Sequence, residues 1–198
     1  GVSTGLDALR LILRGYIELG TLKPNDEIIV PANTFIASVL AITDNNLKPI
    51  FVDPNQFSHN IDSHSLESYI TPKTKAIMPV HLYGRVAWDD DLASIAKKYG
   101  LKVIEDNAQA LGATSLHSGL YGSHATGSLG DVAAISFYPT KNVGAMGDAG
   151  AIVTNDSDLA QVVASLRNYG SDKQYHNTYR GLNCRLDPIQ AAIINTKL

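Results

Sequence analysis

One cysteine, Cys184, is all the thiol chemistry this 198-residue chain offers. It excludes an internal disulfide and a cysteine-rich zinc site, and it fits a reducing compartment, so a cytoplasmic protein is expected. Long apolar runs are also missing, and none approaches the roughly 20 residues a membrane helix needs. The first residues, Gly1-Val2-Ser3-Thr4-Gly5, lack the charged start and apolar core of a signal peptide. His59, His64, His81, His117, His124 and His176 show no metal-ligand spacing, and no metal is expected. There is no basic run, and the net charge is −3 with both signs interspersed, which gives nucleic acid or an anionic membrane no electrostatic foothold. A Gly-x-Ser-x-Gly elbow and a Gly-x-Gly-x-x-Gly run are both absent, which disfavours a serine hydrolase and a dinucleotide site. A small-molecule partner remains.

What is present is a chain that is 44% hydrophobic, enough to bury one large core. Leu6, Leu9, Leu13, Tyr16 and Ile17 recur at helical spacing after Ser3 and Thr4, with Gly20 as a stop. The first helix should therefore begin beside Gly5. Short apolar runs over 28–30, 50–52, 76–80, 102–105, 133–136 and 151–154 read as buried strands, and helices are expected over 34–43 and 92–99. This alternation predicts an α/β fold: a mostly parallel sheet covered by helices on both faces. Ligands of such sheets gather at the carboxyl ends of strands, where Asp53, His81, Asp106 and Ser136 fall. Residues 112–128, rich in Gly, Ser, Thr and His, read as a long surface loop. The chain starts without Met and stops within an apparent amphipathic helix, so residues 1–198 are expected to be part of a longer protein.

Lys141, in Ser136-Phe137-Tyr138-Pro139-Thr140-Lys141-Asn142, follows a strand-like run and precedes Gly144, Gly147 and Gly150. That backbone suits close approach to a ligand, although most lysines simply face solvent. Asp106 at another strand end completes the pair that pyridoxal 5'-phosphate requires, an amine for a Schiff base and a carboxylate for the pyridinium nitrogen. Taken alone, Asp106 reads as a cap. Thr4-Gly5-Leu6 at a helix start offers a phosphate cup, to which Ser136 adds a hydroxyl. Phe35 is a candidate to stack on the ring, with plain core packing as its ordinary alternative. His81 and Tyr83 are candidate substrate contacts, and a structural role for His81 is equally open.

Six ordered motifs spanning nearly the whole chain resemble the sugar aminotransferases of the DegT/DnrJ/EryC1/StrS group. They are Gly1-Val2-Ser3-Thr4-Gly5-Leu6-Asp7-Ala8-Leu9, Pro31-Ala32-Asn33-Thr34-Phe35-Ile36-Ala37, Pro79-Val80-His81-Leu82-Tyr83-Gly84, Val103-Ile104-Glu105-Asp106, the Lys141 segment and Gly181-Leu182-Asn183-Cys184-Arg185-Leu186-Asp187. The resemblance implies the three-layer α/β/α large domain of the aspartate aminotransferase-like fold. It makes Lys141 the catalytic and cofactor-holding lysine, Asp106 the pyridinium partner and Gln109 the neighbour of the phenolic oxygen. Gly5 and Leu6 supply phosphate-binding backbone, Ser136 a phosphate-binding hydroxyl and Phe35 the ring contact. Asn183 reaches the phosphate of a second copy, which implies a homodimer with shared active sites. Leu6 stands where members often carry Thr, which leaves the backbone donor but removes a hydroxyl.

The implied reaction moves an amino group from L-glutamate to a keto group of a nucleotide-linked sugar. The closest likeness is to enzymes acting on dTDP-3-keto-6-deoxyhexoses, in amino-sugar or surface polysaccharide (O-antigen) biosynthesis. A sugar dehydratase, a 4-aminotransferase and a non-enzymatic regulatory protein of the same fold are the alternatives. Lys141, where dehydrating relatives carry His, argues against the first.

Overall fold

A computed structural model describes residues 1–115 and 124–198, so the middle of the loop expected over 112–128 lies outside the described residues. Its described ends meet where Thr114 pairs with Ala125. Strands β1 (Glu27–Pro31), β2 (Lys48–Val52), β3 (Thr74–Ile77), β4 (Lys102–Asp106), β5 (Val132–Ser136) and β6 (Gly150–Thr154) form one sheet in the order β2-β1-β3-β4-β5-β6. All neighbours are parallel except β5 and β6. Helices α1 (Gly5–Glu18), α2 (Ile36–Thr43), α3 (Asp90–Tyr99), α4 (Ser157–Leu166) and α5 (Pro188–Asn195) accompany it. A ribbon of β7 (Ser171–Lys173) and β8 (His176–Asn177) stands apart.

The strands carry apolar residues to both faces, as parallel strands covered on two sides must. Ile28 and Val30 of β1, Ala76, Ile104, Val132 and Ala134 pack with α1, α2 and α4. Ile29, Ile77 and Val103 turn the other way, onto α3 and the 3-10 segment Ser63–Tyr69. These are the three expected layers. A smaller cluster of Phe137, Ala145, Ala149 and Ile194 joins α5 to the segment after β5.

Two expectations shift. Strand β3 ends at Ile77 rather than at 80, because Met78 N–H bonds to Ile29 O and Val80 crosses over to bridge Asp106. Helix α2 begins at Ile36 rather than at 34, since Phe35 is extended at φ −66°, ψ 145° and serves as its cap.

The amino-terminal residues are sewn beside β6. Val2 and Gly150 exchange both backbone hydrogen bonds, at 2.8 and 2.9 Å, and Gly150 also pairs with Ser136. A Cβ on Gly150 would stand 2.5 Å from Thr4 O, so only glycine lets these backbones close. Thr4-Gly5 is thereby laid over Ser136. The strand order reverses between β1 and β3, with β2 added on one side of β1 and β3 on the other, and α2 leaves β1 at that switch point. A crevice at the carboxyl ends follows.

Candidate active site

That crevice is a cavity of about 490 Å³. Gly5, Leu6, Phe35, Asp106, Gln109, Ser136 and Lys141, seven of the eight cofactor-site residues implied by the family resemblance, line it. Thr34, Val80, Leu82, Tyr138 and Asp148 also contribute to its wall.

Its anion-accepting end is built by α1. Thr4 caps the helix: its Oγ1 accepts the Asp7 N–H at 2.9 Å, and Thr4 O accepts the Ala8 N–H at 3.0 Å. The N–H groups of Gly5 and Leu6 keep no partner among the described residues, as the first donors of a helix must. They open at the positive end of the helix dipole. A Cβ on Gly5 would stand 2.8 Å from Ser136 Cβ, so the glycine brings this end against the Ser136 hydroxyl. The Thr4 hydroxyl donates to Asp7 Oδ2 at 3.0 Å and is therefore engaged as a cap.

Asp106 lies at the cavity floor, 6% exposed. Its backbone is fixed by Asp106 N–H to Pro79 O and by His81 N–H to Asp106 O. Oδ2 accepts the Ser38 hydroxyl at 2.6 Å, and Oδ1 accepts the Ala108 N–H at 3.2 Å. Burial pushes this carboxyl above the ordinary carboxylate range, and the bonds from Ser38 and Ala108 oppose the rise only in part. Ser38 is a contact of the cavity floor that sequence reasoning missed. In the apolar run of α2 a serine carries no signal beyond its place three residues after the Thr34-Phe35 pair.

Gln109 is oriented by its neighbour: Oε1 accepts the Tyr83 N–H at 2.6 Å, which leaves the Nε2 donor for the cavity. Tyr83 holds φ at 54°, a strained conformation for a bulky residue, with its ring 85% exposed. Phe35 is 70% exposed on the wall, so the core-packing alternative does not hold. Lys141 reaches the cavity from a loop closed by Lys141 N–H to Tyr138 O and Ala145 N–H to Phe137 O. Its Nζ makes no hydrogen bond or ion pair among the described residues.

Two strand-end residues do not join the site. Asp53 is exposed and away from the wall. His81 is fully buried: Nδ1 accepts the Ala87 N–H at 2.9 Å, so Nε2 carries the proton it donates to Glu105 Oε2 at 2.9 Å. Glu105 also accepts the N–H groups of Gly127, Leu129 and Gly130. Burial raises the Glu105 carboxyl, but the His81, Gly130 and Gly127 donors outweigh it and hold it below its usual range. His81 is thus structural, and Glu105 staples the backbone behind Asp106. Asn183 is exposed, outside the wall, and bridges Asn168.

Among the described residues no cluster could hold a metal ion, and no helix is long and apolar enough to cross a membrane.

The model of the DegT/DnrJ/EryC1/StrS aminotransferase family matches residues 1–198. A dTDP-3-amino-3,6-dideoxy-alpha-D-galactopyranose transaminase of Aneurinibacillus thermoaerophilus is 54% identical over 199 residues, which is 100% of this chain and 52% of that protein. A dTDP-3-amino-3,4,6-trideoxy-alpha-D-glucose transaminase of Streptomyces venezuelae is 46% identical, over 100% of this chain and 50% of its own. Among solved structures, S. venezuelae DesV in complex with a ketimine intermediate superposes with a TM-score of 0.89 at 44% identity, over 99% of this chain and 50% of that one. NtdA of Bacillus subtilis with bound cofactor PMP gives 0.86 at 38% identity, over 98% and 42%. The chain spans about half the length of the curated relatives it matches.

Proposed function

Since the chain belongs to the DegT/DnrJ/EryC1/StrS aminotransferase family, we propose that it forms the cofactor-binding large domain, residues 1–198, of a pyridoxal phosphate-dependent nucleotide-sugar aminotransferase. The observation that carries this reading is one cavity that unites an unpaired lysine amine, a buried carboxylate and an open helix N-terminus. Those features fit the cofactor at three separate points. The Gly5 and Leu6 N–H groups and the Ser136 hydroxyl suit a phosphate. Asp106 suits a protonated ring nitrogen, and the Gln109 amide nitrogen suits a ring oxygen. Phe35 offers a flat apolar wall.

When bound, the cofactor supplies the electron sink that makes a substrate Cα–H bond acidic. Lys141 would hold it, and its free amine would accept at Nζ the proton leaving substrate Cα and donate it on the cofactor side rather than back to Cα, as amino transfer requires. Asp106 would pair with the ring nitrogen, and the apolar walls from Phe35, Leu6, Val80 and Leu82 limit water.

L-Glutamate is the proposed donor and a dTDP-linked 3-keto-deoxyhexose the proposed acceptor, a choice of acceptor supported by the two dTDP-amino-sugar transaminases above. Product use in surface polysaccharide assembly, a cytoplasmic setting and a homodimer belong to the same proposal. Asn183, exposed and off its own cavity, suits delivery to the phosphate of a second copy. The test incubates the full-length protein and pyridoxal phosphate with L-glutamate and a dTDP-3-keto-6-deoxyhexose, and follows 2-oxoglutarate and the amino sugar by mass spectrometry. Stoichiometric appearance of both supports the reading; loss of water from the sugar without amino transfer would replace it with a dehydratase.

A further inference from the structure

Asp106 is buried without a cation in hydrogen-bond contact among the described residues, so what steadies its carboxylate is sought among neutral donors. Ser38 Oγ, 1% exposed, lies 2.6 Å from Asp106 Oδ2 and 2.8 Å from Thr34 Oγ1. An ionised carboxylate only accepts, so Ser38 commits its single hydrogen to Asp106, and Thr34 must donate to Ser38. Two hydroxyls then donate in series toward one carboxylate, and each bond polarises the next. The arrangement joins the first turn of α2 to the end of β4 across 68 residues of sequence. It starts at the cavity wall, which Thr34 lines, and ends at the floor.

We propose that Ser38, backed by Thr34, is a positioning residue that orients Asp106 and strengthens its hold on a cationic ring nitrogen in the cavity. The proposal deepens the pyridoxal phosphate reading and rests on it. Nothing else on α2 can serve, because the helix carries no charged residue and Ser38 supplies its contact with Asp106. The other groups acting on Asp106 are the Ala108 N–H beyond β4, the His81 ring beyond β3 and the Lys141 amine beyond β5. Burial favours the protonated acid, and Ser38 is the foremost of the groups that oppose it. Without that hydroxyl the floor of the cavity tends toward a neutral acid, a poor partner for a cationic ring.

The test uses full-length Ser38→Ala, Ser38→Thr, Thr34→Val and the Ser38→Ala/Thr34→Val pair. Two quantities are read: the carbon-13 titration of the Asp106 carboxyl in the apo protein, and the pyridoxal phosphate dissociation constant. Ser38→Ala is expected to move the titration upward and to weaken binding roughly tenfold or more, as loss of a hydrogen bond to a charged group would. Thr34→Val, at a partly exposed position that tolerates the change, should act in the same direction by roughly threefold and add nothing in the Ser38→Ala background. Ser38→Thr, which restores a hydroxyl, should return both readouts toward wild type. A wild type that binds pyridoxal phosphate beside a Ser38→Ala protein that titrates and binds identically overturns this proposal alone. Full additivity of the two substitutions would overturn the series arrangement. A wild type that takes up no pyridoxal phosphate removes the cofactor reading and this proposal together.

Discussion

Asp106 and Glu105 are adjacent acids on opposite faces of β4 whose burial has opposite outcomes, and that contrast yields the sharpest residue-level expectations. Burial leaves Asp106 raised in the apo protein, so its contribution to stability is full below the unfolded carboxylate value of about 4 and is lost as pH rises through the folded value. Asp106→Asn should flatten that part of the apo protein's urea midpoint against pH, and at the same time weaken pyridoxal phosphate binding tenfold or more. Glu105 is held low by its donors, so its stabilisation is present above the unfolded value and disappears as pH falls through the folded one. Glu105→Gln should cost roughly 1–3 kcal/mol in denaturant unfolding near neutral pH, because its amide NH2 faces buried donors that the carboxylate accepted. Lys141→Ala should lower turnover roughly 10²–10⁴-fold, the range for a lost acid–base group. Lys141, Asp106 and Ser136 were brought to the crevice by their places at or just after strand ends, and Gln109 by the family resemblance; all four line the cavity. Ser38 was not legible, since a serine inside an apolar helix reads the same whether it faces solvent or a carboxylate.

At the scale of elements, the close approach of α1 to the end of β6 sets where an anion would sit. Gly150→Ala places a methyl against Thr4 O, a backbone atom that cannot rotate away. We expect a loss of about 1–3 kcal/mol from overpacking, and a disproportionate loss of pyridoxal phosphate affinity because the α1 start is displaced. Denaturant titration and cofactor titration of the same variant separate the two. Asp156, which accepts the Asp158 and Leu159 N–H groups to start α4, gives a control far from the cavity: Asp156→Ala should cost about 1 kcal/mol and leave cofactor affinity unchanged. Strand positions were readable from apolar runs within one to three residues, the end of β3 being the widest miss. The antiparallel direction of β6 was not, because a buried strand has the same composition whichever way it runs. The start of α2 was misplaced for a related reason: Thr34 and Phe35 continue the apolar pattern, yet Phe35 is needed at the wall in an extended conformation.

For the whole molecule, the proposed homodimer turns on Asn183, which is exposed and lies outside the wall of its own cavity. If Asn183 serves the phosphate of a second copy, mixing Lys141→Ala and Asn183→Ala proteins under subunit exchange should restore activity, since each mixed dimer holds one site with both side chains intact. No restoration would confine Asn183 to its own subunit. All of this rests on Lys141 as the attachment point of the cofactor. The most direct measurement treats the full-length protein, loaded with pyridoxal phosphate, with borohydride and maps the modified peptide by mass spectrometry. The account predicts a reduced pyridoxyl group on Lys141 that prior incubation with L-glutamate diminishes; no adduct, or an adduct on another lysine with Lys141 unmodified, would contradict it.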